Sequence, residues 1–179
     1  GGITTSTTNT GNLVVTGTST IAGQVGAATL GLNSIKGGGP AETTTFLSDV
    51  FANTVTLTGT GTMVFSGSLS GIAAGTSSLN YSADSVVTLA DNKAITVSGG
   101  IITATANTGT LRALGTGTVT GQVGTELVGL KEISGGVATE TITFASNVFV
   151  NTTTVTGTGT ITFNASLSGT VAGTSSLNF

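Results

Sequence analysis

Residues 43–69 read TTTFLSDVFANTVTLTGTGTMVFSGSL, and residues 141–167 read TITFASNVFVNTTTVTGTGTITFNASL. Short alternations of apolar and polar residues, such as Met63-Val64-Phe65 and Thr141-Ile142-Thr143-Phe144, end at Gly, Asn, Asp or Ser, which is the signature of short strands with frequent turns. The two stretches are one stretch displaced by 98 residues, and the displacement holds without a gap from residues 1–81 onto residues 99–179. Of those 81 pairs 48 are identical, so the chain is a tandem repeat whose fold and function are read per repeat. Residues 1–98 form the first sequence repeat and 99–179 a second, incomplete one.

Working outward, the whole chain has the same character. It carries 29 Gly, 40 Thr, one Pro and only 6% charged residues, a mixture rich in β-branched residues and turn formers and poor in Lys, Glu and Arg helix formers. Disorder goes with low hydrophobicity and high charge, whereas 37% of these residues are hydrophobic and the mean hydropathy is +0.44, enough to bury a core. The apolar anchors Phe46, Leu57, Phe65, Val87, Ile95, Val97, Leu111, Val119 and Leu130 recur at roughly 8 to 12 residues, a spacing used by antiparallel sandwiches and by solenoids. A sandwich predicts a polar linker between copies and a larger aromatic core, yet residues 82–98 (SADSVVTLADNKAITVS) run strand-like into the second copy. The reading is therefore an all-β fold, a β-solenoid (β-helix) in which each coil buries its apolar face only when another coil stacks on it. Coils of roughly 20 residues put about five coils in each 98-residue repeat and about nine in the chain, as one continuous solenoid without a linker. At about 4.8 Å per stacked strand, a repeat rises roughly 24 Å and the chain roughly 43 Å.

Comparing the two copies sorts inside from outside. Pairs that stay large and apolar are Val25/Val123, Leu32/Leu130, Ile35/Ile133, Phe46/Phe144, Phe51/Phe149, Phe65/Phe163, Leu69/Leu167 and Leu79/Leu177, with Ile21/Val119, Met63/Ile161 and Tyr81/Phe179 as swaps of similar volume. These are the predicted core. Val14/Arg112, Asn33/Lys131, Ser34/Glu132 and Lys36/Ser134 change polarity and are expected to face water, because a buried unpaired charge is costly. Pro40/Ala138 marks a loop, and glycine pairs such as Gly23/Gly121, Gly59/Gly157 and Gly71/Gly169 mark left-handed backbone or close approach of coils. None of these glycines has the following Lys of a phosphate-binding loop.

Reactive chemistry is sparse. The chain has no His and no Cys, so it contains no Ser-His-Asp triad, no Cys-His dyad, no disulfide and no thiolate or imidazole zinc site, and no catalytic, cofactor-binding or metal-binding residue is nominated. Glu42/Glu140 is the one charged position kept in both copies and is expected to be a solvated or turn-capping residue; Asp49 becomes Asn147. The kept asparagines Asn9/Asn107, Asn53/Asn151 and Asn80/Asn178 read as turn or ladder residues. Net charge of −3 with only Lys36, Lys93, Arg112 and Lys131 as bases speaks against nucleic acid as a partner. No apolar run is long enough to cross a bilayer as a helix, so no membrane insertion is expected of this segment.

Two rival functions deserve weight. A polysaccharide-acting β-helix enzyme wants clustered carboxylates beside an aromatic or basic cleft, and aromatic residues are only 4% here. An ice-binding β-solenoid wants one Thr-x-Thr per coil at one register; in sequence the motif is crowded into stretches such as Thr54–Thr58 and Thr152–Thr156 and absent from others such as residues 63–75, so outward β-branched Thr alternating with inward apolar residues is the favoured reading.

The blocks GNLVVTGTSTIAGQVG (11–26), ETITFASNVFVNTTTVTGTGTITFNASLSG (140–169) and AGTSSLNF (172–179) resemble the repeat regions of autotransporter passenger domains, most of all the rickettsial outer-membrane surface antigens. That resemblance covers essentially the whole chain and implies a passenger exported through a C-terminal β-barrel to a Gram-negative surface, used in adhesion or as a protective layer. No site residue is carried over, since the likeness lies in scaffold positions. The expected function is a structural or adhesive extracellular repeat, a segment of a longer bacterial cell-surface stalk or fibre. It is expected to be without catalysis, and a host or cell-surface receptor is a possible partner. The absence of Cys and the single Met suit an oxidising exterior. With no initiator Met, and stopping before its second period is complete, the chain is expected to continue into further repeats or to associate end to end.

Overall fold

The computed structural model of the chain describes residues 1–72, 76–170 and 175–179. Alternation sets each strand: in Thr43–Phe46 and Thr62–Phe65 the even and odd positions respectively are buried, Thr44 and Phe46 in one and Met63 and Phe65 in the next. Among the described residues every strand pairing is parallel, and strands stack on those of the preceding coil, as Leu69 lies over Val50 and Ile95 over Leu69. Short parallel strands stacked in this way, with turns between them and no helix in the described residues, make a β-solenoid, as the repeat and the resemblance imply.

The coil has three faces. On the first face the inward rungs are Ile3, Val25, Val50, Leu69, Ile95, Val119, Phe144 and Phe163. On the second they are Leu13, Ile35, Val55, Leu79, Ile101, Val123, Val148 and Leu167. The third face is built by Ser19–Ile21, Thr43–Phe46, Thr62–Phe65, Val86–Leu89, Thr108–Ala113, Leu130–Gly135, the second half of Val148–Val155, and Ser176–Asn178. Val50–Leu57 runs over the corner between the first two faces, where its burial alternation slips by one residue at Asn53 and Thr54. Seven coil steps separate Leu13 from Leu167, an average of about 22 residues per coil and slightly more than the roughly 20 expected.

This coil length has a geometric consequence. From Ile3 the first face passes through Val25, Val50 and Leu69 to Ile95, four complete coils, and the next rung, on the second face, is Ile101, the repeat counterpart of Ile3. One sequence repeat is thus four and one third coils, and equivalent residues of the two copies lie on different faces. The stacked pair Phe46–Phe65, with ring centroids 5.3 Å apart and planes 8° from parallel, is on the third face. Its counterpart Phe144–Phe163, at 5.3 Å and 16°, is on the first. At about 4.8 Å per step the repeat rises roughly 21 Å, and Ile3 to Phe163 spans roughly 34 Å.

The core follows the apolar pairs, with departures that have physical causes. Val25, Leu32, Ile35, Phe46, Met63, Phe65, Leu69, Leu79 and Tyr81 are buried, as are Val119, Val123, Leu130, Ile133 and Phe144. Leu167, Leu177 and Phe179 are instead exposed, at 38%, 51% and 93%, because no coil lies over them, whereas Ile95, Ile101 and Gly109 lie over their counterparts Leu69, Leu79 and Tyr81. Phe51 and Phe149 are half-buried: each alternates outward between two buried residues, Val50 and Ala52 or Val148 and Val150. Of the positions that change polarity, Val14, Arg112, Asn33, Lys131 and Lys36 are exposed, and Ser34 and Glu132 are half-buried. Ser134 is the correction, buried on the third face between Arg112 and Thr154 in the adjacent coils.

Glycines sit where coils touch. A Cβ on Gly59 would lie 2.6 Å from the Pro40 backbone nitrogen, and one on Gly157 would lie 2.7 Å from that of Ala138, so both copies need Gly beneath the same loop. Asn9 and Asn107 adopt φ of 59° and 62°, the left-handed turn conformation asparagine tolerates.

Candidate interaction surfaces

The two kept acids are structural. Glu42 accepts the Gly39 N–H at 3.1 Å, closing the turn from Gly39 to Glu42, and Glu140 accepts the Thr116 hydroxyl from the preceding coil. Asp84 joins three coils: its Oδ1 accepts the Gly109 N–H at 3.2 Å and its Oδ2 the Lys131 ammonium at 2.7 Å. That hydrogen bond, reinforced by the charge of Asp84, raises the Lys131 pKa above its ordinary value. Asn53 and Asn151 each accept a hydroxyl from the following coil, from Thr76 at 3.1 Å and Ser175 at 3.5 Å. Among the described residues no group of three or more Asp or Glu is placed to hold a metal ion.

The joint between repeats is made of ordinary rungs. Tyr81 lies wholly inside, its hydroxyl donating to the Thr110 carbonyl at 3.1 Å, and its burial pushes the phenol pKa far up. Beside it, the Ser98 N–H donates to Ser77 Oγ at 2.9 Å, the Gly99 N–H to the Ser77 carbonyl at 2.7 Å and the Leu79 N–H to the Gly100 carbonyl at 3.1 Å. At the same place in the second copy is an open groove of about 240 Å³, lined by Val150, Thr153, Leu167, Gly169, Ser176 and Leu177. A parallel strand with the sequence of residues 98–101 fills the first of these two sites, which defines the shape and hydrogen-bonding pattern the second accepts.

A second groove, of about 280 Å³, lies at a corner of the coil between Arg112, Leu114, Glu132, Ser134, Val137 and Thr156. The first copy has Val14, Thr16, Ser34, Lys36, Gly39 and Thr58 at those positions, so this mixed-charge lining belongs to one copy alone.

The threonines are arranged in a way the linear sequence conceals. Thr54 and Thr56 face outward on the second face, while their counterparts Thr152 and Thr154 face outward on the third. Register then gathers Thr20, Thr45, Val64 and Thr88 into one file on the third face, and Thr43, Thr62 and Val86 into a parallel file two residues away. Thr18 begins that second file, its hydroxyl accepting the Thr43 N–H at 3.1 Å. On the first face Thr118, Thr143 and Thr162 form a file, with Thr141 and Thr160 beside it and the Thr141 N–H reaching the Thr116 hydroxyl at 3.4 Å. Thr-x-Thr is unevenly spread along the chain yet gathered on two surfaces, because rungs one whole coil apart fall on one face even where the coils differ in length. A search for outward Thr pairs one coil apart would have found it.

No protein-family model, no curated protein and no solved structure matches this chain.

Proposed function

We propose that the chain is a structural or adhesive segment of an extracellular bacterial stalk or fibre, of the autotransporter-passenger type its sequence resembles, and that it acts as a rigid spacer without catalysis. The observation that carries this reading is the joint between repeats. Leu79–Ile101 and Tyr81–Gly109 pack across it as Leu69–Ile95 packs within the first repeat, all of the large side chains among them buried, so each added repeat lengthens one rod without a hinge. The open groove at Leu167 and Leu177 takes the next strand of the same kind, from a following repeat or from another copy end to end. Whole cells of the source organism probed with an antibody to the exposed loop around Leu127 test the location. Labelling of intact cells that protease treatment abolishes supports a surface stalk, whereas labelling only after lysis would defeat it. Rod length in electron micrographs of chains carrying one more repeat tests the spacer role: growth of about 21 Å per repeat is expected, and a flexible joint or a globular particle refutes it.

A further inference from the structure

We propose that the threonine files of the third and first faces form an ice-binding surface, whose ligand is the ordered water of an ice plane. This goes beyond the stalk reading and does not depend on it.

Four consecutive coils present, as outward pairs, Thr18/Thr20, Thr43/Thr45, Thr62/Val64 and Val86/Thr88. All eight positions are Thr or Val, two side chains of the same branched shape, each with few χ1 rotamers. Pairs are spaced about 4.8 Å along the axis and about 6.7 Å along the strand, which makes a two-dimensional grid of methyl and hydroxyl groups roughly 14 Å long. Thr88 is largely covered by its neighbours, and the patch ends where Arg112 follows it. Among the described residues the hydroxyls of Thr20, Thr43, Thr45 and Thr62 make no hydrogen bond to protein, which leaves each to bond water. None of the eight is charged, so no ion draws water into a radial shell, and none is aromatic, so no sugar ring finds a stacking partner.

The second copy supplies independent support. Several outward positions elsewhere have drifted, Val14 to Arg112, Asn33 to Lys131 and Ser34 to Glu132, whereas Thr18, Thr20, Thr43, Thr45 and Thr62 all reappear as Thr116, Thr118, Thr141, Thr143 and Thr160. The one Val among the corresponding six, Val64, becomes Thr162, which completes a three-rung patch of threonine alone. That second patch lies one third of a turn from the first, so the chain carries two ice-facing surfaces at different azimuths. Thr54/Thr56 is also kept, but as a single rung between Ser34/Lys36 and Ser78/Asn80 on the second face.

The test is inhibition of ice recrystallisation by the chain as it stands, with adsorption of a fluorescent conjugate to a single ice crystal as a direct readout. Thr45→Lys and Thr143→Lys place a charge at the centre of each patch, and Thr56→Lys is the control on the second face. The wild type and Thr56→Lys are expected to bind ice and block recrystallisation equally, and the double variant Thr45→Lys/Thr143→Lys to need about tenfold more protein. Circular dichroism melts show whether that variant is folded; should it unfold, Thr45→Val with Thr143→Val, which keeps shape and removes the hydroxyls, is expected to weaken ice binding in the same direction. No adsorption of the wild type to ice, or equal activity of the folded double variant, overturns the proposal. Sedimentation with crystalline cellulose or chitin in place of ice overturns it too, in favour of a polysaccharide surface.

Discussion

Alanine at Gly109 and, separately, at its counterpart Gly11 distinguishes backbone strain from packing at the joint between repeats. Both glycines are left-handed, at φ of +81° and +77°, so either substitution meets the Cβ penalty of that region, about 1–2 kcal/mol. Their surroundings differ. A Cβ on Gly11 meets nothing within 4 Å, whereas one on Gly109 lies 2.7 Å, 2.9 Å and 3.1 Å from Cγ, Cδ1 and Cδ2 of Tyr81. Tyr81 is 1% exposed and anchored by its hydrogen bond to Thr110, so the ring has no free direction in which to move. Overpacking of that kind adds about 1–3 kcal/mol. Gly109→Ala is therefore expected to cost about 2–5 kcal/mol and Gly11→Ala about 1–2 kcal/mol. Urea denaturation of the two variants at equal slope reads the difference as a shift in midpoint. Adding Tyr81→Ala to Gly109→Ala relieves the clash, so the double variant should lose less than the sum of its parts. Equal midpoints for Gly109→Ala and Gly11→Ala, or strict additivity in the cycle, would show that the ring and the backbone do not meet across the joint.

Leu79→Ala, at a rung with no exposure, is expected to cost about 2–5 kcal/mol, against under about 1 kcal/mol for Leu177→Ala at its half-exposed counterpart; comparable losses in denaturation would mean that burial is the same at both rungs. Thr153, 2% exposed, occupies the inward position that Val55 holds in the first copy, so Thr153→Val should stabilise by about 1 kcal/mol and raise the melting temperature; a lower melting temperature would show that the hydroxyl is used inside. Asp84 and Lys131 are about half exposed, at 44% and 49%, and their ion pair is worth less than about 1 kcal/mol. Because Lys131 has its pKa raised in the fold, that contribution is complete below the ordinary lysine range and fades as pH rises through it. Asp84→Asn should remove both this alkaline decline and the salt sensitivity of stability, and an unchanged pH profile would argue against the pairing.

Much of this fold is written in the alternation of single strands. Thr62–Phe65 and Thr141–Phe144 fall where the alternation puts them, and most apolar pairs that persist between copies are inward rungs. Coil length is harder to read. Successive rungs on the first face are unevenly spaced along the chain, closer from Val50 to Leu69 than from Leu69 to Ile95, because turns at the corners take different numbers of residues without changing the strands between them. A coil of roughly 20 residues rounds the repeat to five whole coils, whereas the longer coil leaves it at four and one third, and only register shows the rotation. Burial at Leu167, Leu177 and Phe179 is likewise invisible in the residues themselves, since an inward rung is covered only by the coil above it. The threonine surfaces combine both effects, being built from residues that are distant in sequence and aligned only by coils of unequal length.

The rotation of the repeat is tested most directly by two distances measured with pairs of spin labels, one on Thr20→Cys/Arg112→Cys and one on Val14→Cys/Arg112→Cys. Val14 and Arg112 are equivalent in sequence but lie on the second and third faces, whereas Thr20 and Arg112 share the third face, four rungs apart through Thr45, Val64 and Thr88. A repeat of four and one third coils predicts about 19 Å between the Thr20 and Arg112 backbones and at least about 23 Å between those of Val14 and Arg112, with the label tethers adding to both. The 20–112 distance should be the shorter of the two. If the 14–112 distance is the shorter, equivalent residues stack on one face, the repeat is a whole number of coils, and the three-faced register described above is wrong.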